Sequence, residues 1–148
     1  MQYRDLRFNE QGKQVIALAR VEADRLHHEY IGTEHIALAL IGPADEGTAA
    51  TFNKLDIDRD GVRATIASIV RVGNAPLKPD ASLPYTSRTQ DVFAHAYRCA
   101  EDLGQSTVGP EHLLVGVLRE GKGIGAQALF HHGLTLDAAI DQIRKLAN

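Results

Sequence analysis

Ile31-Gly32-Thr33-Glu34-His35-Ile36-Ala37-Leu38 returns 77 residues later as Val108-Gly109-Pro110-Glu111-His112-Leu113-Leu114-Val115. The correspondence runs outward from this octet without a gap. Upstream, Phe8 matches Tyr85, Val15 matches Val92, Ala19 matches Ala96, Ala23 matches Ala100 and Leu26 matches Leu103. Downstream, Ala49 matches Ala126, Phe52 matches Leu129 and Ile66 matches Ile143. A constant offset over this length is the mark of a duplicated structural unit. It gives the chain two equivalent places, and function is sought there.

The units are helical. Val15, Leu18, Ala19, Glu22 and Leu26 recur at spacings of three and four, which predicts a helix over about 9–28 with Asn9 as its cap. Thr33 is expected to cap a second helix holding Ile36, Leu38, Leu40 and Ile41, ended by Gly42-Pro43. A third is expected over 46–55, and a fourth from the 56–60 turn to about 72. Three prolines and a glycine in 73–84 forbid a continuous helix, so this stretch reads as a linker. Thr86 then caps a helix to about 103, and Pro110 suits the first turn of the next. Two more follow over 123–132 and 136–147. No segment alternates with the period of a strand. The expected fold is all-α: eight helices in two pseudo-symmetric four-helix repeats, about 8–72 and 85–147, packed in one globule as a single domain over 1–148. The alanines at 17, 19, 23, 94, 96 and 100 suit close helix packing.

Bulk properties narrow the function classes. A chain of 148 residues is long enough to bury a real core without staples. The formal net charge of −3 gives no reason to expect a nucleic-acid partner, which needs clustered Lys and Arg. No apolar run approaches the ~20 residues of a membrane span, and Met1-Gln2-Tyr3-Arg4-Asp5 has no apolar stretch behind a basic start. A cytoplasmic location is the expectation. The lone Cys99 shares a helix with Ala96 and Ala100 and reads as a buried, inert thiol.

Several motifs fall away on inspection. Gly116-Val117-Leu118-Arg119-Glu120-Gly121-Lys122 resembles a phosphate-binding loop. However, Gly123 stands where the magnesium-binding hydroxyl belongs, and helix rather than strand precedes it. Adjacent Glu and His residues at 34–35 and 111–112 point about 100° apart on a helix, so convergence on one metal is not expected. A structural role for His35 and His112, bonding nearby backbone, is favoured over metal ligation. Asp24 with His27, and Asp91 with His95, read as surface charge pairs. No cofactor is implied.

In order and spacing, the segments Tyr30–Ile36, Leu83-Pro84-Tyr85-Thr86, Val108–Leu114 and Leu118–Gly123 resemble the double Clp-N repeat. That repeat is the N-terminal domain of Clp-type AAA+ unfoldases, those of ClpC type above all, and the resemblance covers nearly the whole chain. It implies two repeats of four helices and a non-catalytic domain that receives substrates and adaptor proteins for an ATP-driven ring, including arginine-phosphorylated proteins in some members. On the matching positions it implicates Thr33, Glu34 and Glu111 in phosphoarginine or substrate binding. A carboxylate can accept a forked pair of hydrogen bonds from a guanidinium, and a helix start can hold a phosphate. Pro110 stands where the family's second repeat has threonine, which removes both a hydroxyl and an N–H. The first repeat departs from the pattern at Gly42–Gly47. The resemblance also implies an adaptor or cyclic-peptide surface at Phe8 and Tyr85.

Two readings stand for the acidic pair. Each carboxylate either recognises a ligand or complements the positive end of its helix, which is worth about 0.3–1 kcal/mol. Pro110 tips Glu111 toward the second. At the level of the whole chain, a docking module for a Clp protease competes with a free-standing homologue that sequesters adaptors or antibiotic cyclic peptides. A small helical metalloenzyme is the third reading.

Overall fold

The computed structural model describes residues 7–42 and 46–147. The Met1–Asp5 start and residues 43–45, within the Gly42–Gly47 departure from the family pattern, lie outside them. Eight helices follow in order: α1 (Glu10–Arg25), α2 (Thr33–Ile41), α3 (Glu46–Lys54), α4 (Arg59–Ile69), α5 (Ser87–Asp102), α6 (Pro110–Glu120), α7 (Ile124–His131) and α8 (Leu136–Ala147). Among the described residues none is long and apolar enough to cross a membrane.

Local chemistry sets most boundaries. Asn9, Asp58 and Thr86 each accept a hydrogen bond from the backbone N–H three residues on, capping α1, α4 and α5. Gly121 takes the left-handed conformation, φ 74°, that closes α6. Three boundaries differ from expectation. α4 ends at Ile69, short of about 72, because Val70 turns extended, ψ 153°. α1 stops at Arg25 because His27 turns left-handed, φ 57°, and the His28 N–H donates back to the Ala23 carbonyl. At α2 the cap is Gly32, not Thr33; Thr33 is the first helical residue and its hydroxyl serves elsewhere.

The repeats interlock. Apart from isolated bridges, the described residues hold no strand, and those bridges are reciprocal: Phe8 pairs with Val108, and Tyr85 with Ile31. Each pairs the residue ahead of one repeat's first helix with the residue ahead of the other repeat's second helix. The Asn9 N–H donates to the Val108 carbonyl at 3.0 Å, and the Thr86 N–H to the Ile31 carbonyl at 3.1 Å. The third helices also cross over. α3 packs on α6 and α8 of the second repeat, and α7 on α2 and α4 of the first. Wrapped from both repeats, α2 is buried at every position and α6 over His112–Leu118. That is why both read as apolar all round instead of showing a single stripe. The α5 and α6 backbones touch at Gly116, where a Cβ would come within 2.4 Å of the Val92 carbonyl oxygen.

Candidate functional site

The site is built on the starts of the two inner helices. The third residue of each, His35 and His112, reaches back to its glycine cap. The Gly32 N–H donates to His35 Nδ1 at 2.9 Å and the Gly109 N–H to His112 Nδ1 at 2.8 Å. This is half of a capping box, with an imidazole in the role usually taken by Glu or Gln. Accepting at Nδ1 fixes the neutral tautomer, with the proton on Nε2. His35 Nε2–H then donates to His28 Nδ1 at 2.8 Å, and His28 Nε2–H to the Arg71 carbonyl at 2.6 Å. In the second repeat the His112 Nε2–H donates to Gln105, the counterpart of His28. Burial, joined by the neighbouring His28 ring, lowers His35 to about 4, and burial lowers His112 to about 4. Both are uncharged at neutral pH, so the 3.3 Å approach of Glu111 to His112 is not an ion pair.

The two acidic residues are not equally open. Each curls over its own cap glycine, since a Cβ on Gly32 or Gly109 would lie 2.2 Å from the Glu34 or Glu111 Oε1. Glu111 keeps 26% of its side chain exposed. Glu34 is buried, 6% exposed as a whole residue, and is covered by Tyr30, whose hydroxyl donates to Oε2 at 3.4 Å. Burial, and then the Glu34 charge, pushes the Tyr30 phenol above its usual range. Glu34, implicated from the sequence as a binding carboxylate, is therefore enclosed, whereas Glu111 is partly open. Thr33 is also enclosed, at 3% exposure, and its Oγ1 accepts from the Gly125 N–H across the repeat junction at 3.2 Å.

Glu34 and Thr33 nevertheless line the wall of a cleft of about 390 Å³ where the starts of α2, α5 and α7 meet. Thr86, Ser87 and Gly123 complete it, with Arg88 and Lys122 on the rim. Arg88 pairs with Glu120 at 3.1 Å while half of its side chain stays exposed, and Glu120 also accepts from the Gly123 N–H at 2.8 Å. The matching cleft in the second repeat, about 320 Å³, is lined by Asn9, Ser106, Thr107 and Glu111, and among the described residues no Lys or Arg lines it. Glu10 and Gln11 stand there in the places of Ser87 and Arg88.

His28, Glu34 and His35 bring ligand atoms within 4.8 Å of one another, closer than helix geometry alone suggested. The sequence reading missed His28, which enters from the left-handed turn after α1. As packed, the two rings form a hydrogen-bond chain from the Gly32 N–H to the Arg71 carbonyl, and Glu34 accepts from Tyr30. The 2.8 Å separation of the ring nitrogens is too short for two ligands each about 2.0–2.1 Å from a tetrahedral zinc. Phe8 and Tyr85 come together on Phe93, edge to face, at centroid distances of 5.7 and 5.0 Å.

Two crossed four-helix repeats with matched Gly-x-Glu-His helix starts define a duplicated all-helical domain. The model of the Clp repeat (R) N-terminal domain matches residues 7–132, and the chain belongs to that family. It is 36% identical over 140 residues to the chaperone protein ClpB of Oceanobacillus iheyensis. It is 35% identical over 140 residues to the negative regulator of genetic competence ClpC/MecB of Bacillus subtilis. Each alignment covers 95% of this chain and 17% of the relative. The crystal structure of the N-terminal domain of ClpD from Arabidopsis thaliana shares the fold, with a TM-score of 0.73 at 23% identity over 95% of this chain and 94% of that one.

Proposed function

We propose that the chain is a non-catalytic docking domain for substrates and adaptor proteins of a Clp-type unfoldase, and that its first-repeat cleft receives phosphoarginine. One observation carries this reading: a carboxylate and two cationic side chains, Glu34 opposite Arg88 and Lys122, border one cleft at three helix starts. Phosphoarginine is itself a cation joined to an anion. Its guanidinium matches Glu34 as a forked donor. Its phosphate matches the cationic rim and the positive ends of the helices. Because Tyr30 covers Glu34, binding requires the Tyr30 side chain to swing aside. Thr33 then acts by holding α7 against α2, not as a direct phosphate ligand. The second repeat has Glu111, but Pro110 lacks an N–H and no Lys or Arg lines its cleft among the described residues, so in this reading it takes no part. Phe8 and Tyr85 form a separate aromatic contact surface for adaptors or cyclic peptides.

Titration of the protein with free phosphoarginine tests the assignment. One site is expected, weakened at least ~10-fold (about 1.4 kcal/mol) in Glu34→Ala and in Arg88→Glu, and unchanged in Glu111→Ala. Equal binding by Glu34→Ala and the parent overturns it.

A further inference from the structure

The duplication supplies a second pair of matched places, further along each inner helix. In the second repeat a cleft of about 390 Å³ opens between α5, α6 and α8. Val115, Ile140 and Ile143 form its apolar floor, and Arg98, Arg119 and Arg144 stand exposed around it, one from each helix. Among the described residues none of the three arginines makes a salt bridge. The corresponding cleft of the first repeat, about 330 Å³, has Leu38 and Ile66 at the positions of Val115 and Ile143. Its two arginines are neutralised: Arg25 and Arg63 both bind Glu22, at 2.8 and 3.2 Å. Burial raises the Glu22 carboxyl, but the two guanidiniums outweigh it and hold the group below its usual range.

The offset of 77 makes the contrast specific. Cys99 stands where the first repeat has Glu22, so the internal counter-ion is missing. Arg98, Arg119 and Arg144 stand where it has Val21, Gly42 and Ala67. One copy of the cleft satisfies its own charge; the other carries three cations at different positions and lacks an acid at the place of Glu22. Asp102 is the one carboxylate in its wall. The local field is felt by His95, which burial and then Arg119 hold below its usual range, against the pull of Asp91. Cys99 contributes no nucleophile, because burial pushes its thiol up to about 11. It is half-buried in the cleft wall, not sealed in the core as its alanine neighbours suggested.

We infer that the α5–α6–α8 cleft is a second docking site, for an acidic peptide segment that seats an aliphatic side chain on the apolar floor and its carboxylates on the arginine rim. The volume lies in the range of ~300–1,000 Å³ that ligand pockets occupy, which suits one or two side chains. Arginine forks match carboxylates in pairs, and exposed, unpaired guanidiniums lose no existing partner when an acid arrives. The site differs from the Glu34 cleft, whose wall holds a carboxylate beside its two cations, and it stands independently of the phosphoarginine reading.

The test uses a short fluorescein-labelled peptide alternating leucine with aspartate, its asparagine counterpart and its lysine counterpart, read by fluorescence anisotropy. The acidic peptide is expected to bind at least ~10-fold more tightly than the asparagine form, with no measurable binding of the lysine form. Arg98→Glu and Arg144→Glu, both at exposed positions, each weaken it ~10-fold or more while leaving phosphoarginine binding unchanged. Cys99→Glu, which restores the internal counter-ion of the first repeat, has the same effect. Amide NMR shifts on peptide addition should fall on Val115 and Cys99 and spare Leu26 and Leu38, the equivalent cleft serving as internal control. Equal affinity for the acidic and neutral peptides, or shifts centred on the first-repeat cleft, overturns the inference.

Discussion

The helix starts at Gly32 and Gly109 share one plan and finish it differently. In both, a glycine cap gives its N–H to a buried imidazole, and an acidic side chain folds over that glycine. Beyond this the first repeat turns inward. Its imidazole passes its second hydrogen bond to a buried histidine, and its carboxylate lies under a tyrosine. The second repeat turns outward, with its imidazole on the exposed Gln105 and its carboxylate a quarter exposed. What stayed common is the part that holds the two inner helices in place. What diverged is the rim: Arg88 and Lys122 at one cleft and, among the described residues, no Lys or Arg at the other. Duplication leaves the scaffold under one constraint and each mouth under its own.

The largest expected effect tests the shared part. An unfolded chain protonates these histidines near 6.5, whereas the folded chain resists until about 4. The unfolded state therefore binds more protons across this window, and stability falls as pH drops from about 6.5 to about 4. Each histidine contributes a loss of about 3 kcal/mol over the window, at 1.36 kcal/mol per pKa unit. Urea unfolding at pH 7 and pH 4.5 should show a large drop in the parent, and His112→Gln should remove about half of the pH dependence. An unchanged slope in that variant would show that the repeats do not titrate alike.

A second test asks whether the inward and outward finishes differ in stability. His35→Leu strands the Gly32 N–H and a ring nitrogen of His28, both buried. His112→Leu strands only the Gly109 N–H, since exposed Gln105 turns to water. With about 1–3 kcal/mol for each buried group left unpaired, His35→Leu should cost about 3 kcal/mol and His112→Leu about 2 kcal/mol. Urea midpoints at pH 7 measure both, and the reverse order would contradict the hydrogen-bond chain.

Much of this was legible in the sequence, for identifiable reasons. Eight helices followed from apolar spacing and from Asn9, Thr86 and Pro110, which act within one turn of themselves. Misreadings occurred where the partner is far away. Thr33 has the chemistry of a cap, but its hydroxyl is taken by the Gly125 N–H, 92 residues on. His27 carries no glycine-like signal for the left-handed turn that brings His28 beneath His35. Glu34 reads as a surface acid, and only the placement of Tyr30 encloses it. A constant offset shows that two units are alike without showing that α3 and α7 cross over. The available hint was that Ile36–Ile41 and Leu113–Leu118 have no polar face. The unpaired arginines were also within reach, by setting Cys99 against Glu22 in the repeat alignment.

The smallest effect is the sharpest test of equivalence. His28 must accept from the His35 ring and donate to the Arg71 carbonyl, 2.8 and 2.6 Å away. A glutamine amide offers one acceptor and a donor on a side chain of similar reach, and Gln105 already serves as the acceptor in the second repeat. His28→Gln should therefore change stability by less than about 1 kcal/mol, whereas His28→Leu, which strands both partners, should cost at least ~2 kcal/mol. The tautomer supplies a spectroscopic check. With Nδ1 still accepting from Gly32, the His35 Nε2–H stays hydrogen-bonded in His28→Gln, so its ring ¹⁵N shifts should match the parent at pH 7. If glutamine proved as damaging as leucine, the role of position 28 would lie in the ring itself, stacked 5.2 Å from Tyr30 at 7°. The two repeats would then differ in aromatic packing over the Glu34 cleft, with the hydrogen-bond plan no longer interchangeable between them.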